Sequence, residues 1–355
     1  MITNDRNVWR DKRIFITGGT GTWGQEFTRQ LLEAGAAEIT IFSRGEYRQV
    51  EMRRRFQEAT NVRYLLGDVR ERKELISACR NHQVIIHLAA LKHVPVVEEN
   101  AREAVKTNVI GTQNVVDAAL SNQAECVLYV SSDKAVDPVN FYGITKLASE
   151  RIVQLASQES SGTRMITYRA GNVMGSAGSV IPIFQETLSR HNKIRVTDPS
   201  MTRFFLRKSE VVARACEAAE LGVGGEVLVP KMRATTLDSL TKVMIKHLGD
   251  ERVTVERIGI RPGEKIHELL ISRNEIERTR ELDRLWVILP FFPPPAMEQH
   301  YAECSPVPFN EYSSLTADHY SLEDLESLLA SESFLTPVTS PGEDLYFKKG
   351  PYAFH

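Results

Sequence analysis

Two pairs of side chains between positions 131 and 150 have types and spacings that could do chemistry. Tyr142 and Lys146 lie four residues apart where a helical pattern begins, so they are expected on one helix face, one turn apart. A nearby ammonium favours the phenolate form of a Tyr and lowers its pKa from the usual ~10. Such a pair can take a proton from a hydroxyl group while hydride leaves the same carbon. Taken alone, this spacing is more often an aromatic contact and a solvated charge.

The second pair, Asp133 and Lys134, follows an apolar run at 126–130 that predicts a buried strand. Turn-forming residues come next, at Asp137, Pro138 and Asn140. Open α/β sheets bind their ligands at the carboxyl ends of the strands. The sequence therefore predicts that a carboxylate and an amine lie where a ligand would bind.

Apolar runs that alternate with helical patterns predict the sheet that positions these residues. Strands are expected at 13–16, 37–42, 62–66, 84–90, 126–130 and 165–168, with helices between them that include 25–34 and 104–119. This alternation indicates an α/β fold with a doubly wound parallel sheet. His87 is expected to pack within its strand, and Asn108 to make a structural hydrogen bond inside its helix.

A glycine-rich stretch follows the first predicted strand and precedes the first predicted helix, the context that a dinucleotide-binding motif requires. It fits both G-x-x-G-x-x-G and G-x-G-x-x-G, with glycines at Gly18, Gly19, Gly21 and Gly24. Glycine lets the backbone approach a pyrophosphate, and a helix N-terminus favours the anion. We therefore expect a dinucleotide cofactor here.

The end of the second predicted strand indicates which dinucleotide binds. In NAD-binding folds an acidic residue near this point binds the ribose 2′-hydroxyl. Here Ser43 and Arg44 follow the strand, with Arg48 nearby, and a hydroxyl and a cation suit a 2′-phosphate. NADP is therefore favoured, with Glu46 as an alternative acidic partner for NAD. After the third strand, Asp68 is either a helix N-cap or a residue that faces the adenine.

Composition and charge argue against several classes of function. The chain has 355 residues and a net charge of −2 from 44 basic and 46 acidic residues, which gives no electrostatic case for a nucleic acid or membrane partner. No run reaches the ~18 apolar residues of a membrane span, and the polar stretch 1–12 is no signal peptide. The cysteines lack metal-site spacing, so we expect no metal and a cytoplasmic protein with reduced, mostly buried thiols at Cys79, Cys126, Cys216 and Cys304.

The chain is expected to divide into a cofactor-binding domain, 1–175 with return segments at about 204–230, and a mainly substrate-binding region with a C-terminal extension, 176–355. The segment 178–203 is richer in turns and mixed charge. Arg203 and Arg261 are each expected in a loop, where a guanidinium either binds a phosphorylated ligand or is simply solvated. Ser321 is expected to cap a helix ending at 330, with Asp324 in a near capping box. The tail 331–355 shows no functional signal.

Six motifs together resemble the extended short-chain dehydrogenase/reductase family. They lie at 89–95, 132–136, 140–146, 171–176, 201–204 and 261–265, and the resemblance runs from about residue 13 to 329. Within this family the chain is most similar to the soluble, inverting UDP-N-acetylglucosamine 4,6-dehydratases that open the route to pseudaminic acid. The resemblance implies a Rossmann domain, tightly bound NADP that is regenerated in each turnover, a nucleotide-sugar substrate and a homo-oligomer.

The resemblance also implies a role for each member of the two pairs. Tyr142, assisted by Lys146, would deprotonate the sugar C4 hydroxyl as hydride passes to NADP. Lys134, with its pKa pushed well below the usual ~10.4, would remove the C5 proton, and Asp133 would protonate the departing C6 hydroxyl. Hydride then returns to C6, and a proton returns to C5 on the opposite face. A plain epimerase needs no acid to expel water.

Binding residues are implied by the same resemblance. The expected cofactor-binding residues are Gly18, Thr20, Gly21, Thr22, Trp23, Gly24, Ser43, Arg44, Asp68, Val69, Ala89, Ala90, Lys92, Asn108, Tyr142 and Lys146. The expected substrate-binding residues are Lys92, Asp133, Lys134, Tyr142, Asn172, Val180, Arg203, Arg261 and Glu264. Among these, Asn172 is expected at the diphosphate and Glu264 at the nucleoside ribose.

Other functions stay open at this point. A nucleotide-sugar 4-epimerase, a combined epimerase and dehydratase, or a retaining dehydratase would share most of these residues, although such relatives often have Met where this chain has Tyr142. A catalytically silent NADP-binding regulator would need neither pair. The sequence leaves open the nucleotide, UDP or GDP, the N-acyl group and the configuration at C5.

Overall fold

The strands form where the sequence is apolar, and the helices form where it is amphipathic. The computed structural model describes residues 8–160, 162–176 and 178–337. Residues 1–7, part of the stretch in which no signal peptide was expected, lie outside the described residues. So do residues 338–355 of the tail, for which no role was predicted.

In chain order, the strands are β1 (Arg13–Thr17), β2 (Glu38–Ser43), β3 (Val62–Leu66), β4 (Val84–His87), β5 (Cys126–Ser132), β6 (Arg164–Ala170), β7 (Asn172–Val173), β8 (Lys193–Val196), β9 (Thr202–Leu206), β10 (Val227–Pro230), β11 (Arg233–Thr236), β12 (Thr254–Arg257), β13 (Leu269–Ile271), β14 (Thr279–Glu281), β15 (Leu285–Ile288) and β16 (Tyr312–Ser313). The α-helices are α1 (Thr22–Glu33), α2 (Glu46–Arg55), α3 (Arg72–Ala78), α4 (Val94–Glu99), α5 (Ala101–Ala104), α6 (Gly111–Ser121), α7 (Phe141–Glu159), α8 (Val180–His191), α9 (Lys208–Leu221), α10 (Leu237–Leu248), α11 (Pro295–His300) and α12 (Leu322–Ser331). A π-helical segment spans Val105–Ile110, and 3-10 turns span Asp133–Ala135 and Arg273–Arg278.

The described part of the chain forms two compact units, the first within residues 8–170, 209–231 and 270–311, and the second within residues 171–208, 232–269 and 312–337. The first unit is built on one sheet which, in the described part of the chain, has nine strands in the order β14-β15-β10-β6-β5-β4-β1-β2-β3. All neighbours from β10 to β3 in this order are parallel, whereas β15 and β14 are antiparallel additions at one edge. The predicted α/β fold with a doubly wound parallel sheet is confirmed.

The order of the strands reverses at β1, which lies between β2 and β4. The register places Thr17, the last residue of β1, beside Phe42 and His87. In open parallel sheets a ligand crevice forms at such a switch point, outside the carboxyl ends of the strands. Gly18 and the chain that follows His87 therefore lie where the sequence predicts the cofactor.

Burial on both faces explains why the strands of the first unit appear as continuous apolar runs. β4 is buried throughout, and β1 and β5 are buried in all but one residue each. One core cluster joins the sheet to the helices that cover it, with side chains from β1, β4 and β5 and from α3, α6 and α7: Phe15, Ile85, Val127, Leu75, Val115 and Val153.

The second unit has its own apolar core. It is formed mainly by α8, α10 and α12, with side chains that include Phe184, Leu188, Leu240, Met244, Leu325 and Leu329. β9 pairs with β11 and β7, and β8 pairs with β12. Ser321 caps α12 by accepting the Asp324 backbone N–H at 3.0 Å, which confirms the predicted cap.

The first helix begins earlier than predicted, at Thr22 rather than at residue 25. The reason is that Gly24 lies in its first turn, packed so closely on the preceding loop that an added Cβ would be 2.1 Å from the Gly19 carbonyl oxygen. The glycine motif is thus partly helical. β4 also ends earlier than predicted, at His87: the Leu88 N–H still donates to the Thr17 carbonyl, at 3.1 Å, but the Ala89 N–H donates to the Thr17 hydroxyl, at 3.3 Å.

The predicted helix at 104–119 is present, but it begins earlier, at residue 101, and it is not α-helical throughout. The chain there passes from α5 through the π-helical segment into α6. Within that segment, the Asn108 carbonyl accepts the hydroxyl groups of Thr112 and Ser149, at 2.5 and 2.8 Å. Side-chain hydroxyls that bond to a helix carbonyl compete with the backbone ladder, and apolar periodicity does not show such bonds.

The prediction of a loop around Arg203 was wrong, since this residue lies on β9 opposite Thr235 of β11. The segment 178–203 contains α8 and β8 rather than mostly turns. Ile181, Phe184 and Leu188 are buried along α8 at helical spacing, a pattern that its polar residues obscured. Arg261 lies outside any helix or strand, as predicted.

No helix in the described part of the chain is long and apolar enough to cross a membrane. The four cysteines, all within the described residues, form no disulfide bond. Cys79 and Cys126 are buried, while Cys216 and Cys304 are half-buried.

We expect Gly24→Ala to destabilise the first unit. The added Cβ would clash with the Gly19 carbonyl, and overpacking costs about 1–3 kcal/mol, against the ~1 kcal/mol that Ala gains over Gly in a helix. A lower urea midpoint would report this loss. Gly162→Ala is the control, because nothing lies within 4 Å of its added Cβ, and its midpoint should not change. Equal midpoints for the two variants would contradict the close contact.

Candidate active site

The end of β5 forms a buried polar turn. Ser132 caps the 3-10 turn that follows, and its hydroxyl oxygen accepts the Lys134 backbone N–H at 3.3 Å. The Ser132 hydroxyl donates to Asp133 Oδ1 at 2.8 Å, and the Lys134 ammonium donates to the same oxygen at 3.1 Å. The Asp133 side chain is 1% exposed and that of Lys134 26% exposed. Asp133 Oδ2 is buried and has no hydrogen-bond partner among the described residues.

Helix α7 begins beside this turn. Asn140 caps the helix by accepting the Gly143 backbone N–H at 2.8 Å. A glycine is required at 143, because an added Cβ would lie 2.1 Å from the Lys134 carbonyl oxygen. This close approach places the first turn of α7, with Tyr142, against the turn that contains Asp133. Tyr142 and Lys146 are both buried on this helix.

The electrostatics of Tyr142 differ from the prediction. Burial raises the pKa of Tyr142 above its usual value, and this effect exceeds the opposing effects of the Lys134 charge and the Ser132 hydrogen bond. Asp133 adds to the rise. The cation that favours the phenolate is therefore Lys134 rather than Lys146, which was expected to lower the pKa of Tyr142.

Lys146 points to the strand beneath α7. Its ammonium donates to the Val130 carbonyl at 2.8 Å and lies 4.3 Å from the centre of the Tyr129 ring. Burial lowers the pKa of Lys146 to about 7, against an opposing effect of Glu150 one turn further along the helix. Both forms of this amine are therefore accessible near neutral pH.

His87 packs inside the sheet, as predicted. Its ring nitrogens contact the hydroxyls of Thr17 and Thr112, at 2.7 and 3.0 Å. The Thr112 hydroxyl donates to the Asn108 carbonyl, so it accepts from His87 Nε2–H. Complete burial, and secondarily the charge of Lys146, lowers the pKa of His87 to about 3. The ring is neutral and satisfied, and it offers no base to a ligand.

The glycine loop fits a dinucleotide diphosphate. Gly18 has a φ of 67° and donates its N–H to the Phe42 carbonyl at 2.8 Å. An added Cβ would be 2.8 Å from the Ala89 nitrogen. Gly21 is the N-cap of α1, and no side chain caps that helix end, which leaves its positive end open to an anion. The other predicted residues of this stretch, Thr20, Thr22 and Trp23, lie in the same loop and first helical turn.

The region predicted to bind the 2′-phosphate contains an ion pair. The exposed Arg44 guanidinium is 3.8 Å from the Asp68 carboxylate, which is 2.6 Å from Arg70. Burial alone would raise the pKa of Asp68, but the hydrogen bonds and charge of Arg70, together with Arg44, hold it below its usual value. Asp68 does not cap α3, whose N-cap is Glu71. Ser43, at the end of β2, accepts the Gln49 side-chain amide.

Asn108 and Lys92 lie around the loop that follows β4. The Asn108 amide holds the Leu91 backbone through two hydrogen bonds, at 2.8 and 3.0 Å, and donates to the Thr145 hydroxyl at 2.9 Å, which confirms a structural role. Partial desolvation of the Lys92 ammonium, and then the charges of Arg48 and Lys134, lower the pKa of Lys92. The predicted residues Ala89 and Ala90 lie in the same loop, and Val69 is part of the apolar core.

The remaining predicted substrate residues belong to the second unit: Asn172, Val180, Arg203, Arg261 and Glu264. Asn172 lies on β7, and Val180 is the first residue of α8. Arg203 Nη1 donates to the carbonyls of Thr202 and Ile266, at 2.8 and 3.0 Å. The guanidinium is thus bound to the chain that follows the Arg261 turn.

Arg261 and Glu264 face each other across a turn. The Arg261 backbone N–H donates to the Glu264 carboxylate at 3.3 Å, and the two charged groups are 3.7 Å apart. Burial lowers the pKa of Arg261. The Glu264 carboxylate opposes this effect, and the charge of Arg195 on β8 adds to it. Sequence reasoning missed Arg195, because nothing in a four-residue strand marks it.

Three further residues near α7 were also missed. Ser132 was predicted only as part of a motif, although its hydroxyl bonds to Asp133. Glu150 and Arg169 form a buried ion pair at 2.7 Å. The sequence contains one indication of this ion pair: Glu150 comes four residues after Lys146, a spacing that places these two side chains on one face of α7.

The parallel sheet with a glycine loop at its switch point defines a Rossmann-type α/β fold. The polysaccharide biosynthesis protein family matches residues 14–290. A UDP-N-acetylglucosamine 4,6-dehydratase (inverting) from Campylobacter jejuni subsp. jejuni serotype O:2 is 39% identical over 287 residues, 80% of this chain and 84% of the relative. A UDP-glucose 4-epimerase from Rickettsia rickettsii is 34% identical over 337 residues, 92% of this chain and 97% of the relative.

A solved structure is similar over nearly the whole chain. The X-ray structure of Pen from Bacillus thuringiensis has 36% sequence identity and a TM-score of 0.85, and covers 93% of this chain and 100% of that one. The chain therefore belongs to the polysaccharide biosynthesis protein family. The resemblance to extended short-chain dehydrogenases/reductases, and within them to the inverting dehydratases, is confirmed.

We expect Lys134→Met to raise the pKa of Tyr142 further, since the substitution removes the cation that favours the phenolate. The measurement is the phenolate absorbance of the cofactor-free protein against pH, minus that of the Tyr142→Phe protein. The midpoint should lie above ~10 in the wild type and higher in the variant. Lys242→Met, at an exposed lysine paired with Asp238, is the control and should leave it unchanged. A lower midpoint in Lys134→Met would contradict the assignment.

Proposed function

We propose that the chain is an NADP-dependent nucleotide-sugar 4,6-dehydratase that converts UDP-N-acetylglucosamine to a 4-keto-6-deoxy sugar with inversion at C5. The observation that supports this most directly is the buried turn in which Asp133 and Lys134 share a hydrogen bond beside Tyr142. Loss of water across C5 and C6 requires a base at C5 and an acid at the C6 hydroxyl, whereas epimerisation at C4 requires only a group that takes and returns the C4 hydroxyl proton. The similarity to the Campylobacter dehydratase supports the substrate class.

The glycine loop supports a dinucleotide, and the Arg44 guanidinium with the Ser43 hydroxyl supports a 2′-phosphate on its ribose. The Arg48 charge, which acts on Lys92, adds to the positive field on this side of the crevice. When bound, NADP accepts hydride from C4 and later returns it to C6, so the reaction has no net redox change.

Tyr142 takes the proton of the C4 hydroxyl in this proposal. Burial keeps the phenol neutral in the free protein, so Tyr142 first releases its own proton to solvent, and the phenolate then formed is a strong base. The Lys134 charge and the Ser132 hydroxyl favour the phenolate from one side. The Lys146 ammonium, at the next turn of α7, stabilises the strand end through Val130 and adds positive charge to the same region.

The Asp133–Lys134 hydrogen bond can supply the acid and the base in one proton transfer. Moving a proton from Lys134 Nζ to Asp133 Oδ1, across 3.1 Å, leaves a neutral amine and a carboxylic acid. Lys134 then takes the C5 proton, made acidic by the C4 ketone, and Asp133 gives its proton to the C6 hydroxyl, which leaves as water. Both residues return to their starting charges. Hydride returns to C6, and C5 takes a proton from solvent on the opposite face, in balance with the proton that Tyr142 released.

The residues of the second unit that support a nucleotide-sugar ligand are Arg203 and Arg261, whose guanidinium groups match phosphate oxygens. Asn172 is proposed at the diphosphate and Glu264 at the ribose. Glu264 is already fixed by the Arg261 turn.

A 4-epimerase is the second candidate. It is favoured by the similarity to the Rickettsia UDP-glucose 4-epimerase, which extends over 92% of this chain. Tyr142 and the cofactor would suffice for that reaction. A retaining dehydratase would use the same acid and base and differ only in the face from which C5 is protonated.

The proposal predicts a new C6 methyl doublet and the loss of the C4 carbinol signal when purified protein is incubated with UDP-N-acetylglucosamine and followed by proton NMR. The coupling at C5 would report the configuration. We expect Asp133→Asn to slow this conversion by about 10²-fold or more, because it removes the acid. Asp117→Asn, at a surface pair with Arg72, is the control. Formation of UDP-N-acetylgalactosamine would identify an epimerase, and no product would lead to a GDP-linked panel.

Cofactor choice gives a separate prediction. Arg44→Ala should weaken NADP binding by about tenfold or more and leave NAD binding nearly unchanged, since only NADP has a phosphate for this guanidinium. Calorimetric titration of cofactor-free protein with each dinucleotide measures both. Arg63→Ala is the control, because Arg63 is an exposed residue of β3 paired with Glu38. Equal losses of affinity for NADP and NAD would show that Arg44 does not bind a 2′-phosphate. That result would favour Glu46 as the ribose partner in an NAD enzyme.

A further inference from the structure

Four buried ionisable side chains lie together in the first unit, on α7, on β6 and in the 3-10 turn that begins at residue 273. Arg169, at 1% exposure, binds two carboxylates at once. It donates from Nε and Nη2 to Glu150, at 3.0 and 2.7 Å, and from Nη1 and Nη2 to Glu275, at 2.9 Å each. Lys146 is the fourth member, one helical turn before Glu150 on α7. The proposed mechanism uses Lys146 alone of the four.

The charges of these four groups sum to zero. Arg169 and its two carboxylate partners, Glu150 and Glu275, form a triad with one net negative charge. The Lys146 ammonium balances that charge. Buried charges are costly unless they are paired. The contacts of the ammonium itself are a carbonyl and an aromatic ring, neither of which has a negative charge. Glu150 is thus the counter-charge on the same helix.

Other charged groups around α7 do not replace Glu150. The titratable residues on the elements packed against the helix are His93 at the N-cap of α4, Glu98 and Glu99 on α4, Arg102 and Glu103 on α5, Lys106 in the π-helical segment, Asp117 on α6, Cys126 and Tyr129 on β5, Asp133 and Lys134 in the 3-10 turn, and Arg164, Tyr168 and Arg169 on β6. Tyr129 is neutral, because burial holds its pKa well above the usual value, and His87 of β4 is neutral as well. Asp133 is bound to Lys134. Glu150 raises the pKa of Lys146 against burial.

We infer that Glu150 is a positioning residue that keeps Lys146 in its ammonium form, and that Arg169 and Glu275 fix the Glu150 carboxylate in place for this purpose. The inference rests on the proposed function, in which the Lys146 ammonium stabilises the strand end through Val130 and adds positive charge to the region of Tyr142. Glu150 acts through Lys146 and touches no reacting atom. Without it, burial would neutralise the amine at a lower pH, so the alkaline side of the activity profile would move to lower pH.

The test compares two substitutions that each remove one carboxylate from the same guanidinium. Glu150→Gln removes the one on α7, and Glu275→Gln, the matched control, removes the other. Protein with ¹³Cε-labelled lysine is titrated by NMR, and the Lys146 resonance is identified by its absence in Lys146→Met. We expect the Lys146 midpoint to fall by about one pH unit or more in Glu150→Gln and by less than half as much in Glu275→Gln. Equal shifts in both, or no shift in either, would show that the triad is merely structural.

If Glu150→Gln does not fold, Glu150→Asp and Glu275→Asp give the same comparison, since each withdraws one carboxylate by one methylene. Glu150→Asp should then lower the Lys146 midpoint more than Glu275→Asp does, and equal midpoints overturn the inference. The NMR titration needs no substrate. A Lys146 that responds to Glu150 in a protein that turns over no nucleotide sugar would therefore contradict the proposed function alone. If the protein turns over a nucleotide sugar but the Lys146 midpoint does not change in the Glu150 variants, only this inference is contradicted.

Discussion

The contact between Gly143 and the Lys134 carbonyl is the constraint on which the candidate site depends. Any side chain at 143 would meet that oxygen at 2.1 Å, so α7 could not start where it does. The contact brings the first turn of the helix onto the turn that follows β5. As a result, Tyr142, Asp133 and Lys134 share one buried environment, and the charge of Lys134 acts on Tyr142. Three residues from two separate stretches of the chain thus become one chemical unit.

The first six strands could be predicted to within a few residues, because parallel strands covered on both faces are continuous apolar runs. The glycine loop and the Tyr142–Lys146 spacing were equally visible. The boundaries and types of the helices were harder to predict from the sequence. They depend on the close packing of Gly24 and on the hydroxyl groups that bond to the Asn108 carbonyl, which the sequence does not show. Arg203 was assigned to a loop because a charged residue in a short strand has no periodic signature.

Charge relations within the site could not be obtained from the sequence. Spacing places Lys146 near Tyr142, but it does not show that the ammonium is bonded to Val130 and lies over Tyr129. Nor does it show that Lys134 is the cation acting on Tyr142. Arg169 belongs to a residue type that is usually exposed, and only the folded structure shows it buried between two carboxylates.

The sheet of the first unit has a consequence for the order in which the protein folds during synthesis. β6 is completed at residue 170, but its outer neighbour β10 begins only at residue 227, and β15 follows at residue 285. Until those segments leave the ribosome, β6 has an open edge with a row of unpaired backbone groups, the kind of edge that recruits other strands. A nascent chain halted in the second unit would present that edge to chaperones or to another copy of itself.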